Sequence, residues 1–365
     1  MRRRQFVRGA AAAGVAGVVA ACQRDTAQDT KVSRRRFQWK LVTTWPPNFP
    51  IFHDGVIRFS RDVDKMSGGR LRIAVFAGGE LIPPLESFDA VSQGTVEMGH
   101  GAAYYWAGKI PAAQFFTAVP FGLNAQGMNA WMYYGGGREL WQRLYEPFDL
   151  MPMPMGNTGV QMGGWFRRKL TSLDDLKGLK IRMPGLGGKV MAKAGANPVL
   201  LAGSEIYTSL ERGNIDASEW VGPYHDLRLG LQRAAPYYYY PGWHEPGPTL
   251  ELIINRSAWQ QLPEDLQLIV EHAAAASNLW MLAEFETRNL DALKTLRDEH
   301  RVEILPFPDA IIRQLRSLTR EALDEEAAKD AVFAEVLDAY RRFSAANAEW
   351  SQLSEAAYAR ALTLP

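Results

Sequence analysis

Two hydrophobic periodicities alternate between residues 39 and 99, and this alternation constrains the fold more than any other feature of the chain. Trp39, Leu41, Thr43 and Trp45 alternate with Lys40, Val42 and Thr44 in the period of two that marks a strand, and Pro46-Pro47 stops it. A helical spacing follows through Val56, Phe59, Val63 and Met66 and ends at Gly68-Gly69. Leu71 to Phe76 reads as a second strand. Pro84 opens another helix through Leu85, Phe88 and Val91 that ends at Gly94, before a short strand from Val96 to Gly99. A βαβαβ order of this kind requires a mostly parallel sheet covered by helices, because each return to the same sheet edge needs a crossover.

The later parts are an apolar run at Leu179 to Met183, helices at Gly188 to Ala194 and Ser204 to Arg212, and a strand at Ile215 to Val221. Glu251 to Asn255 reads as a strand returning to the first sheet. Ala258 to His300 is long and helical in period, and Asp309 to Leu362 is helical again with no proline inside. Helices of such length lie across several elements or across a partner subunit. At 365 residues the chain is long enough for two packed lobes.

The N-terminus has a separate logic. Arg2, Arg3, Arg4 and Arg8 precede an apolar run from Ala10 to Ala21 that is too short to anchor permanently in a bilayer. Residues 1–21 therefore read as a signal peptide, twin-arginine-like at Arg3-Arg4-Gln5-Phe6, followed by a polar linker over 22–37. Cys22, the single cysteine, sits after Val19-Ala20-Ala21 where a lipoprotein is cleaved and acylated, so it is the expected lipidation site. Losing residues 1–21 leaves 37 basic against 40 acidic side chains, without the basic excess a nucleic-acid partner would call for.

Much chemistry is excluded. The six histidines and one cysteine show no paired metal-ligand spacing, so zinc, haem and iron–sulfur centres lack their usual ligands. Gly185-Leu186-Gly187-Gly188-Lys189-Val190 lacks the ending of a P-loop and the spacing of a dinucleotide fingerprint. It reads instead as a tight turn that leaves N–H groups and Arg182 facing a cleft. No Gly-x-Ser-x-Gly elbow is present, and Ser204 reads as a helix N-cap.

What remains is a set of isolated polar residues beside apolar segments. Arg182 ends the run Leu179-Lys180-Ile181; Gln161 and the pair Glu219-Trp220 are placed alike. A buried arginine needs an anion, because an uncompensated charge in the interior costs several kcal/mol. Either a structural carboxylate or a bound carboxylic acid supplies it. Glu219 and Glu245 also leave open an exported carbohydrate-active hydrolase, which needs two positioned carboxylates.

Ser172-Leu173-Asp174-Asp175-Leu176-Lys177-Gly178-Leu179-Lys180-Ile181-Arg182-Met183-Pro184 resembles the signature segment of the extracytoplasmic solute-binding proteins of TRAP (tripartite ATP-independent periplasmic) transporters. Gly156 to Trp165 and Asp216 to Pro223 resemble its 2-oxo-acid and lactate branch, and the similarity spans roughly residues 38–360. The resemblance implies a two-lobed periplasmic-binding-protein-like α/β fold with mixed, mostly parallel sheets and long C-terminal helices. Lobe 1 would be 38–161 with about 251–310, lobe 2 162–250, and the C-terminal helices 311–365.

It further implies a periplasmic receptor, not an enzyme, that captures pyruvate, lactate or a similar acid and passes it to the membrane subunits of a sodium-driven permease. Arg182 would clamp the carboxylate, which suits a planar guanidinium. Asn157 would bond the keto or hydroxyl oxygen, with Tyr104, Tyr105 and Trp106 as an aromatic wall and Gln161 beside the ligand. A cation would bridge the acid to Gln161, Glu219 and the backbone oxygen of Trp220, all oxygen donors suited to Na⁺ or Ca²⁺. Ligand, Arg182 and Glu219 together carry −1, which one Na⁺ neutralises; Glu245 in the same shell makes −2, which Ca²⁺ balances. Na⁺ is the ion favoured on this reading, and a homodimer through the C-terminal helices is expected.

Overall fold

The computed structural model describes residues 35–364; the signal segment and Cys22 lie outside them. Among the described residues, eleven strands form two sheets. The first contains β1 (Phe37–Thr43), β2 (Leu71–Phe76), β3 (Met98–Gly101), β4 (Leu150–Asn157) and β10 (Thr249–Asn255), in the order β2-β1-β3-β10-β4. The second contains β5 (Gly164–Phe166), β6 (Lys180–Arg182), β7 (Asn197–Val199), β8 (Ala217–Ser218), β9 (Tyr237–Tyr240) and β11 (Glu303–Pro306), in the order β11-β9-β5-β8-β6-β7. Only β10 in the first sheet and β5 in the second oppose their neighbours, so both sheets are mixed and mostly parallel.

Burial follows the sequence pattern. Along β1, Phe37, Trp39 and Leu41 are buried while Gln38 and Lys40 are exposed, and the helix Phe52–Met66 turns Phe52, Val56, Phe59 and Val63 inward. β10 is buried along its whole length, as expected of a strand between two others. The helix Glu264–Asp298 packs against β4, the helix Pro223–Leu229 and the helix Phe52–Met66, presenting Leu266, Val270, Ala274, Met281 and Phe285. No helix among the described residues is long and apolar enough to cross a membrane.

Four expectations are corrected. β11 pairs parallel with β9, Glu303 opposite Tyr237, so residues 303–306 belong to the second sheet rather than the first lobe. The helix expected from Ala258 to His300 is interrupted at Gln261-Leu262-Pro263, where proline lacks the N–H that continuation needs. The helix expected from Asp309 to Leu362 is three: Asp309–Lys329, Ala331–Leu353 and Glu355–Ala361. Asp330 breaks it by adopting extended backbone (φ −137°, ψ 114°), and its carboxylate accepts from the N–H groups of Val332 and Phe333 at 2.8 and 3.0 Å. Ser204 lies inside the helix Gly203–Glu211, whose N-terminal N–H at Ala202 donates to Glu205 at 3.0 Å.

Candidate binding site between the two sheets

Arg182 is the last residue of β6, held on one side by Val199 of β7 and on the other by Ser218 of β8. β8 stops at Ser218, so Glu219 and Trp220 leave the sheet beside it, and the Glu219 N–H donates to the Arg182 carbonyl at 3.3 Å. In open α/β sheets such carboxyl ends of strands are where ligands bind. Asp226 stiffens the same turn. Its carboxylate accepts from the N–H groups of Val221 and Gly222 at 3.1 Å each, from Trp165 Nε1 at 2.9 Å and from Tyr238 Oη at 2.7 Å.

The opposite side comes from two loops stapled together. The Gln161 N–H donates to the Glu245 carbonyl at 3.1 Å, and the Gly242 N–H donates to the Gln161 carbonyl at 2.9 Å. A Cβ at Gly242 would lie 2.2 Å from that carbonyl oxygen, so only glycine permits the approach. Gln161 and Glu245 are thereby held side by side, both buried.

Arg182 is 1% exposed, and its guanidinium is divided three ways. Nη1 donates to Glu219 Oε1, Nε donates to the Leu201 carbonyl at 3.3 Å, and Nη2 is buried with no partner. Burial is the largest influence and opposes its charge, but Glu219, Tyr105, Tyr104 and Glu245 together outweigh it and raise the pKa, so the group stays a cation. Gln161 Oε1, Glu219 Oε2 and Glu245 Oε2 are also buried without a partner. Trp220 Nε1 is buried unpaired as well; unpaired buried polar atoms are costly, so these unsatisfied donors beside three unsatisfied acceptors mark a place built for something else.

Glu219, Glu245 and His244 offer ligand atoms that all lie within 4.8 Å of one another. His244 Nε2 is 3.5 Å from Glu219 Oε2, and neither ring nitrogen has a hydrogen-bond partner. Burial first, and then the facing charge of Glu219, push the Glu245 carboxyl well above its usual range, against the opposing influence of Arg182, Tyr104 and Gln161. Two carboxylates held this way relax when a cation lies between them. The donor set therefore fits a hard metal ion, with His244 as a nearby candidate that sequence reasoning missed. Its only signal was adjacency to Glu245, since the histidine had no partner at metal-ligand spacing.

Tyr104 and Tyr105 lie on the turn Ala103–Trp106 after β3 and line the same small cavity as Gln161, Trp220 and Glu245. The Trp220 ring packs edge-on against Trp45, Phe49 and Phe52 at 6.1–6.5 Å and stands 5.3 Å from the Arg182 guanidinium. Trp106 turns away, donating from Nε1 to the buried carboxylate of Glu251. Asn157 is adjacent but committed elsewhere: Nδ2 donates to the Gly247 carbonyl at 3.0 Å and Oδ1 accepts from the Gly159 N–H at 2.9 Å. Its amide shapes the loop that carries Gln161.

Residues 41–330 match the family of bacterial extracellular solute-binding proteins, family 7 (DctP). The chain belongs to this family. The monocarboxylate 2-oxoacid-binding periplasmic protein of Nostoc sp. is 42% identical to this DctP-family protein over 358 residues, 98% of each chain. A TRAP periplasmic solute-binding protein of Pseudoalteromonas atlantica, solved with bound sodium and pyruvate, is 42% identical with a TM-score of 0.88, covering 91% of this chain and 100% of its own. A Colwellia psychrerythraea counterpart, solved with bound calcium and pyruvate, is 43% identical with a TM-score of 0.87, covering 89% and 99%. The DctP family consists of extracytoplasmic receptors rather than enzymes, which sets aside a hydrolase built on Glu219 and Glu245. In this family member both carboxylates instead share one focus with the Arg182 cation.

Proposed function

We propose that this DctP-family protein captures a 2-oxo monocarboxylate such as pyruvate, or the corresponding 2-hydroxy acid, through Arg182 and a bridging cation, and delivers it to a TRAP permease. The observation that carries the reading is the pairing of unsatisfied groups. A carboxylate would satisfy Arg182 Nη2, and a cation would satisfy Gln161 Oε1, Glu219 Oε2 and Glu245 Oε2. Neither alone satisfies both sets. A carboxylate oxygen shared by the guanidinium and the cation does, and each is a strong charge-assisted contact.

Charge counting favours Ca²⁺ over Na⁺. Glu245 lies with Glu219 rather than apart from it, so ligand, Arg182 and both carboxylates carry −2, which a divalent ion cancels. The bridging residues are Gln161, Glu219 and Glu245, with the Trp220 carbonyl completing the shell and Tyr104 and Tyr105 closing over the ligand. Asn157 would support the Gln161 loop rather than touch the acid. Calorimetry with pyruvate in calcium-containing, sodium-only and chelator-treated buffers tests this. Binding is expected to be strongest with calcium; binding indifferent to cations overturns the bridge, and absence of binding overturns the function.

Two finer features complete the proposal. Cys22 carries a lipid that tethers the receptor to the membrane, and Cys22→Ser should release it to the soluble fraction. Two copies associate through the C-terminal helices, where Trp350, Leu353, Tyr358 and Leu362 are exposed. Light scattering of Leu353→Glu in the full chain should report a monomer.

A further inference from the structure

Asp226, 1% exposed, sits on the helix Pro223–Leu229, just beyond the segment that carries Glu219 and Trp220. Its Oδ1 accepts from the Val221 and Gly222 N–H groups, and its Oδ2 accepts from Trp165 Nε1 and Tyr238 Oη. All four donors are neutral groups. Burial pushes the Asp226 carboxyl up to about 6, with the bonds from Tyr238, Trp165 and Val221 opposing, so at pH 7.5 it is an anion. Hydrogen bonds to an ionised acceptor are the strong ones, so this group grips what it touches.

Val221 is the hub of the arrangement. Its N–H is held by Asp226, and its carbonyl accepts from the Met162 N–H at 2.9 Å. Val221 follows Trp220 and Met162 follows Gln161, so this one residue sets the distance between the segment of Gln161 and the segment of Glu219 and Trp220. The bond from the Gln161 N–H to the Glu245 carbonyl carries the same register on to Glu245. Behind the carboxylate, Trp165 and Tyr238 stack at 4.0 Å, and Trp165 lies opposite Ser218, the residue before Glu219. Asp226 thus ties the end of β8 to the turn that follows it.

We propose that Asp226 is the positioning residue of the cation site: by fixing Val221 between Met162 and the second sheet, it holds the oxygens of Gln161, Glu219 and Trp220 at the spacing a hard cation needs, while its own two oxygens are engaged elsewhere. This rests on the cation reading above. Ligands drawn from separate segments make a tight site only when their supports hold that spacing. Groups that orient metal ligands in this way contribute about 10–100-fold in metal affinity.

The test separates position from charge. Asp226→Asn loses the charge and turns its Nδ2 toward Trp165 Nε1, which sets two donors against each other. Adding Trp165→Phe removes that conflict, so Nδ2 can donate to Tyr238 Oη while Oδ1 still accepts from Val221 and Gly222. Dissociation constants for calcium and for sodium are measured by calorimetry at pH 7.5 with saturating pyruvate, for the full-length wild type, each single variant and the double variant. Amide hydrogen exchange over residues 219–222 is measured in the cation-free proteins. Asp226→Asn should weaken whichever ion the wild type takes at least tenfold and speed exchange at Val221 and Gly222. Trp165→Phe should stay within threefold, and the double variant should recover to within threefold of the wild type. Asp226→Glu keeps the charge but moves the carboxylate by one methylene; it should weaken the ion at least fivefold, and it decides the matter if Asp226→Asn does not fold. Unchanged ion binding in Asp226→Asn or Asp226→Glu, or a double variant as weak as Asp226→Asn, overturns the positioning role alone. A wild type that binds pyruvate without any cation overturns the cation reading and this role with it.

Discussion

Replacing Glu245 by glutamine keeps the side chain's shape and removes one of the two carboxylates facing His244. With the ligand bound, the protein and acid then carry −1 instead of −2, so the ion that balances them changes from divalent to monovalent. A unit charge pair at about 4 Å is worth about 4 kcal/mol at an effective dielectric of about 20, and a divalent ion doubles it. The cost of stripping water from the buried carboxylate, several kcal/mol, takes back a large part. A net loss of about 3–5 kcal/mol for calcium remains, which is between about a hundredfold and a few thousandfold in its dissociation constant. Sodium, with half the charge and a now balanced site, should lose little. Tryptophan fluorescence is a suitable readout, since Trp220 and Trp45 line the cavity. Calcium and sodium would each be titrated at fixed pyruvate into wild type and Glu245→Gln. If the variant keeps its calcium dependence within fivefold, Glu245 is not a ligand and the charge count is wrong.

Three further outcomes follow from other contacts. Arg182→Lys keeps the charge but cannot serve Glu219, the Leu201 carbonyl and a ligand together; pyruvate-dependent thermal stabilisation should vanish while the circular dichroism spectrum is retained, and an undiminished shift would remove Arg182 from the clamp. His225→Phe removes the bond from Nε2 to the Pro50 carbonyl at 2.8 Å while filling the slot between Phe49, Phe52 and Phe285; losing about 1 kcal/mol should lower stability by that amount in guanidinium unfolding with cation dependence unchanged, and an unaltered stability would show that this contact contributes nothing net. Glu251 is held at about 7 by burial, against the opposing hydrogen bonds from Trp106 and Tyr145. The folded state therefore holds this proton more tightly than the unfolded chain, and stability from this group is present below pH 4.5 and lost as pH rises to 7. Guanidinium unfolding at pH 5 and pH 7.5 should show that difference reduced by about 2–3 kcal/mol in Glu251→Gln; an identical pH dependence would mean that Glu251 does not titrate in this window.

The strand and helix order over residues 39–99 was legible because hydrophobic period and turn residues agree there. Arg182 stood out for a similar reason: a charge closing an apolar run needs an anion, which the sequence left open between a structural carboxylate and a bound acid, and Glu219 is one such partner. The placement of β11 was not legible, since its apolar run fits either sheet and only pairing with β9 decides. The break at Asp330 was hidden because a side-chain cap ends a helix without proline or glycine. Asn157 illustrates a deeper limit. The amide that could bond a keto oxygen bonds a loop equally well, and sequence carries no distance with which to choose. His244 was overlooked because only Glu245 lies beside it in sequence, while Glu219 comes from a separate segment, unlike the regularly spaced ligands of a zinc motif.

Each sheet is assembled from both halves of the chain: β10 completes the first after all of β5 to β9 has intervened, and β11 completes the second only at residue 306. Neither lobe can therefore be made, or lost, by itself. During synthesis about 255 residues must emerge before β10 can join β3 to β4 in the first sheet, and about five-sixths of the polypeptide before β11 adds the edge strand of the second; contacts so distant in sequence are slow to form. Once complete, the two sheets should melt in one transition, because neither draws all its strands from one continuous stretch of the chain.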